Sequence, residues 1–116
     1  MIERISAVTL FTGDMAAAFH FYDSLGFQLH YGGAAASFTT FSLGENFLNI
    51  ELQRGYAPSH WGRIIFYVSD VDEMFARVRD RGLRPSTAPR DAEWGERYFH
   101  ISDPDGHELS FARRLD

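Results

Sequence analysis

The chain contains no cysteine, which excludes disulfides, thiolate nucleophiles and thiolate metal sites together. Any metal site is left to His, Asp, Glu, backbone oxygens or water. Basic residues are also scarce: 11 Lys and Arg stand against 16 Asp and Glu, a net charge of −5. Nucleic-acid binding needs a basic patch, so the composition excludes it, and the acidic balance favours neutral or cationic ligands. No stretch approaches the ~20 apolar residues of a membrane span. The opening residues, MIERISAVTLFTGD, carry charges and have no long apolar run, unlike a signal peptide. A cytoplasmic protein with no membrane partner is the expectation. Nucleophile-elbow and Ser-His-Asp patterns are missing, and GGAAAS has neither the Lys nor the following helix of a P-loop.

Apolar material is plentiful. At 116 residues and 45% hydrophobic, the chain can bury the core of one domain or of two small, joined half-domains. Eleven Phe, five Tyr and two Trp exceed what such a core needs, leaving aromatics for a pocket or an interface.

The chain repeats itself. GDMAAAFHFYDSLGFQL around Asp14 and SDVDEMFARVRDRGLRP around Asp70 align at an offset of 56, which also brings Gly26 onto Gly82. Met15, Ala18, Phe19 and Tyr22 form one apolar helical stripe, and the same offset yields Val71, Met74, Phe75 and Val78. Asp14 and Asp70 read as N-caps, with Glu73 placed as in a capping box. Gly26 and Gly82 read as helix stops. Strands are predicted before each helix, at Arg4–Phe11 and Gly62–Val68. Three more follow each helix: Phe27–Tyr31, Ser37–Leu43 and Asn46–Leu52, then Leu83–Ala88, Arg97–Ser102 and His107–Arg113. Arg54–His60 reads as the connection. The expectation is an α+β chain of two βαβββ modules, 1–53 and 61–116, building a curved sheet with helices outside.

The run WGERYFHISDPDGHELSFAR, Trp94–Arg113, resembles the C-terminal signature of the vicinal-oxygen-chelate superfamily, the glyoxalase/bleomycin-resistance/dioxygenase proteins. AFHFYDSLGFQL resembles that superfamily's F-Y-x-x-x-L-G-F segment, so the likeness covers essentially the whole chain as a single domain, 1–116. It implies the paired-module fold and leaves the reaction open. Enzymes of the superfamily hold a divalent metal on the concave face, with ligands from the first and last strands of each module. Members also commonly pair as homodimers, which the resemblance implies here.

Strand alternation says which side chains face that concavity. Leu48, Ile50 and Leu52 are core-like, leaving Asn49 and Glu51 on the other face; Leu109 and Phe111 are core-like, leaving Glu108, Ser110 and Ala112. Arg63, Ile65 and Tyr67 face inward in the strand after the connection, and Ala7 matches Arg63 by the repeat. Matched to the superfamily, the metal positions fall on Ala7, Glu51, Arg63 and Ser110. Only Glu51 is a credible ligand among them, and a guanidinium repels a divalent ion. Arg63 therefore reads as an electrostatic replacement for the metal, paired with Glu51 directly or across a dimer interface. An alternative set, Glu51, His100 and Glu108, suits a divalent metal such as Zn, Fe, Mn or Ni. In the plainer reading Glu108 pairs with an arginine and His100 is a hydrogen-bonded pocket residue.

Trp94, Tyr67, Tyr98 and Phe47 are candidates for a ligand platform or for plain packing. Arg97 reads as an anchor for the loop carrying Trp94, and His107 as a hydrogen-bonded residue beside the DPDG turn. The expected function is metal-free binding of an antibiotic or aromatic metabolite in an aromatic, partly acidic cleft. Glu51, Arg63, Tyr67, Trp94, Tyr98, His100, Glu108 and Ser110 are its expected contacts. The alternative is a metal-dependent lyase, isomerase or dioxygenase.

Overall fold

Asp14 and Asp70 start the two helices in the same way. In the computed structural model, which describes all of residues 1–116, both are extended residues. Their side chains accept hydrogen bonds from the backbone N–H groups of Ala17 and Glu73, donors that a first helical turn otherwise leaves unpaired. Helix α1 spans Met15–Ser24 and α2 spans Val71–Asp80. Their ends match as well. Gly26 and Gly82 adopt φ of 98° and 77°, the left-handed region that glycine enters without a Cβ penalty. Gly26 N–H donates to Asp23 and Phe27 N–H to Tyr22; Gly82 donates to Arg79 and Leu83 to Val78. This is the Schellman pattern twice, and the Phe27 ring closes on Tyr22 at 5.3 Å, the apolar contact that goes with it.

The chain divides into two compact units, Met1–Pro58 and Ser59–Asp116. The first holds β1 (Ala7–Thr12), β2 (Gln28–Tyr31), β3 (Phe38–Leu43) and β4 (Asn46–Leu52) in the order β1-β4-β3-β2. The second holds β5 (Arg63–Tyr67), β6 (Arg90–Asp91), β7 (Glu96–Ser102) and β8 (Glu108–Arg114) in the order β5-β8-β7-β6. In each sheet the first strand runs parallel to the last and the remaining pairs are antiparallel. The expected βαβββ order therefore occurs twice, as an α+β fold.

Alternation places the core on the helix side of each sheet. Leu48, Ile50, Phe99, Ile101, Leu109 and Phe111 are at most 1% exposed, each contributing roughly 1.5–3 kcal/mol by leaving water. In the second unit Phe75 of α2 meets Phe99 edge-on at 5.3 Å, and Phe99 packs on Phe111 at 5.5 Å. The buried face of α1 is wider than the predicted stripe: Phe21 and Leu25 join Met15, Ala18 and Tyr22, while Phe19 is only half-buried.

One predicted strand is absent. Leu83–Ala88 forms no ladder, because Pro85 within it and Pro89 after it lack N–H donors. Two isolated bonds remain, from Ser86 N–H to the His100 carbonyl at 2.8 Å and from His100 N–H to Thr87 Oγ1 at 3.0 Å. Pairing with β7 resumes only at the two-residue β6. At the chain start, β1 begins at Ala7 rather than Arg4, whose guanidinium instead donates to the Glu45 carbonyl.

Candidate functional site

The second sheet offers a cleft on the face away from α2. Cross-strand register arranges this face in rows: Arg63 beside Glu108 and Ser102; Ile65 beside Ser110 and His100; Tyr67 beside Ala112, Tyr98 and Arg90. Ser110 and Ala112 are the small residues of the central strand β8, so the sheet is lowest between the larger side chains of its neighbours. The resulting depression measures about 440 Å³, with Arg63, Arg90, Trp94, Glu96, Tyr98 and His100 among its walls.

Polar contacts tie these walls together. Arg63 Nη2 donates to Glu108 Oε1 at 2.7 Å. The two face each other in the parallel β5–β8 register, the arginine partnership expected of Glu108. His100 Nδ1 shares a hydrogen bond with Ser110 Oγ across the antiparallel β7–β8 pair. Burial pushes the His100 imidazole below its ordinary value; the Arg63 and Arg90 charges push the same way and Glu108 opposes them. His100 is therefore neutral at neutral pH.

Glu96 holds the aromatic rim. Its carboxylate accepts from Trp94 Nε1 at 3.0 Å and from the Tyr67 hydroxyl. Trp94 is 69% exposed yet stacks on Tyr98 at 5.6 Å and 29°. Tyr98 is buried under its neighbours: its hydroxyl accepts from Arg90 Nε at 2.7 Å, and the Arg90 guanidinium lies 5.3 Å from its ring centre. On the opposite side of β7, Arg97 grips Asp72 with two nitrogens at 2.9 and 3.0 Å and Asp91 with a third at 3.0 Å. It fixes β6 and the start of α2 to β7, the anchoring role read from the sequence, and its hydrogen bonds, helped by its charge, hold the Asp72 carboxyl below the usual range.

Five expected contacts, Arg63, Trp94, Tyr98, His100 and Ser110, line this cleft together. Tyr67 and Glu108 stand on the same face, bonded to its lining residues and bordering neighbouring recesses. Glu51 lies on β4 of the first unit, half-buried, between Phe11 and Phe38 in register. Arg90 and Glu96 are site residues that the sequence reading missed. Glu96 was within reach, sharing strand parity with Tyr98 and His100; Arg90 was hidden by the mistaken strand before it. With two arginines and one glutamate in the lining, the cleft is not the partly acidic one expected. His107 is hydrogen-bonded as predicted: it is buried and its Nδ1 accepts a bond from Trp61 Nε1 at 2.8 Å.

The registers also revise the expected metal quartet. Ala7 lies opposite Phe47 and Arg63 opposite Glu108, so the repeat of 56 in the helices becomes 61 in the last strands. Ser110 then corresponds to Asn49 and Glu51 to Ala112, and the quartet joined non-equivalent positions. The true equivalents share a device: Thr40 Oγ1 bonds Asn49 Oδ1 at 2.8 Å where His100 bonds Ser110. The quartet is poor in donors for a metal. Ala7 has no donor atom, Arg63 is a cation paired with Glu108, and Ser110 is engaged by His100. Within neither unit do three His, Asp or Glu side chains gather into a metal-holding group.

Solved structures share this architecture. TioX from Micromonospora sp. ML1 superposes with a TM-score of 0.79 at 26% identity, covering 97% of this chain and all (100%) of the other. A bleomycin-binding protein complexed with bleomycin gives a TM-score of 0.77 at 21% identity, over 97% of this chain and 99% of that one. The bleomycin resistance protein of Geobacillus stearothermophilus is 35% identical over 49 residues, 41% of this chain and 37% of that protein. The matched stretch thus spans only about a third of the curated relatives' length, 27% to 37%. The family model described as Glyoxalase/Bleomycin resistance protein/Dioxygenase superfamily matches residues 4–111, and the chain belongs to that superfamily.

Proposed function

We propose that the face of the second sheet away from α2 binds a small organic molecule reversibly, without a metal ion. One observation carries the reading. Where metal-using members of the superfamily place a ligand, Arg63 sits ion-paired with Glu108 on the wall of a cleft floored by Ser110 and Ala112 and bordered by the exposed Trp94. About 440 Å³ lies within the usual span of ligand pockets, roughly 300–1,000 Å³. An indole stacked on a phenol offers a flat apolar surface to a planar ring. The site carries no activated nucleophile that would turn binding into covalent chemistry: the hydroxyl beside His100 is on the floor, and no carboxylate orients the imidazole. Sequestration is the function such a site performs.

Elemental analysis and a thermal-shift panel of antibiotics and aromatic metabolites test the reading, with bleomycin included because of the relatives' name. Purified protein is expected to hold no stoichiometric divalent metal. A true ligand at a hundred times its Kd is expected to add about 2.7 kcal/mol of stability, a rise of several degrees in Tm. One tightly held Zn, Fe, Mn or Ni per chain would overturn the metal-free reading in favour of a lyase, isomerase or dioxygenase.

A further inference from the structure

Resting on that binding role, we infer that the cleft selects planar aromatic carboxylates, with Arg90 seating the carboxylate and Trp94 covering the ring. The inference turns on how the charges around the cleft are used. Arg63 is neutralised by Glu108 at 2.7 Å. Both Glu96 oxygens are occupied, one by the Trp94 indole and one by the Tyr67 hydroxyl. Arg90 is different. Its Nε donates to the Tyr98 hydroxyl at 2.7 Å and no carboxylate pairs with it, which leaves its two terminal nitrogens for a ligand. A guanidinium edge of two N–H donors matches the planar, two-oxygen geometry of a carboxylate.

The surroundings support an anion at this point. Arg63 and Arg90 both lie near His100, but Glu108 offsets Arg63, so Arg90 is the cation of that region without a carboxylate partner. The Tyr98 ring holds the Arg90 guanidinium at 5.3 Å, so the cation is already ordered before a ligand arrives. Trp94, the other neighbour of Tyr98, gives the ring of the same ligand a stacking surface. The chain as a whole is acidic, at −5, so the preference is local. Long-range attraction does not supply it, and selectivity must come from direct contact with Arg90.

Isothermal titration with three probes of one shape tests this: 2-naphthoate, 2-naphthamide and 2-naphthylmethylammonium. The carboxylate is expected to bind roughly tenfold or more tightly than the amide, the scale of a charge-assisted hydrogen-bond pair, and the ammonium most weakly. Arg90→Gln should erase the carboxylate preference while the amide keeps its affinity, and Arg90→Lys should restore it in part. Trp94→Ala should weaken carboxylate and amide alike. Near-UV circular dichroism checks that each variant is folded. Equal or tighter binding of the amide or the ammonium sinks the carboxylate inference and leaves the binding role standing. Failure of all three probes, together with an empty thermal-shift panel, sinks both.

Discussion

At the scale of single residues, His100 links the cleft to pH. Its imidazole is held below its ordinary value of 6.5 by burial and by Arg63 and Arg90, against the opposing pull of Glu108. In the window from that depressed value up to 6.5, the unfolded chain binds the proton more readily than the folded one. The His100 contribution is therefore fully present above pH 6.5 and is lost as pH falls through the folded value. Urea unfolding from pH 7.5 to 5, titration midpoints aside, is expected to show wild type losing stability relative to His100→Gln, which keeps a polar partner for Ser110. Parallel profiles for the two proteins would remove the linkage. Much of this site was legible from the sequence: parity alone placed Arg63, His100, Glu108 and Ser110 on one face. Which arginine Glu108 pairs with was not, because that depends on the register of β5 against β8, residues more than forty positions apart.

At the scale of elements, local signals were the most readable. Asp14 and Asp70, Gly26 and Gly82 delimit their helices through bonds within a few positions of themselves, so sequence order suffices to find them. Leu83–Ala88 misled because its place after the helix suits a strand of the repeat, while Pro85 within it and Pro89 after it cannot donate to a ladder. The change of repeat from 56 to 61 was invisible, since connection lengths between α2 and β8 are set by where β6 and β7 meet. Two glycines separate backbone conformation from steric room. At Gly82, φ 77°, a Cβ would meet nothing within 4 Å, so Gly82→Ala is expected to cost roughly 1–2 kcal/mol, the left-handed penalty alone. At Gly32, φ 84°, the same atom would lie 2.3 Å from the Phe38 carbonyl oxygen. Gly32→Ala should therefore be clearly the more destabilising in chemical denaturation, and equal losses would contradict the packing described around the start of β3.

At the scale of the whole molecule, each sheet has one of its outer strands in β1 or β5, paired on a single side within its own unit. Such an edge presents unpaired backbone groups that a second chain can cover, and we expect a homodimer in solution. Light scattering coupled to size exclusion should give twice the 13.2 kDa of one chain; a mass of 13.2 kDa across micromolar concentrations would leave the edges uncovered by a second copy. The two tryptophans give this protein an optical use. Trp94 stands in the cleft wall, stacked on Tyr98, whereas Trp61 is bonded to His107 beside the connection. In Trp61→Phe protein all indole emission comes from the ligand's own doorway, so occupancy becomes readable as a change of colour without any attached dye.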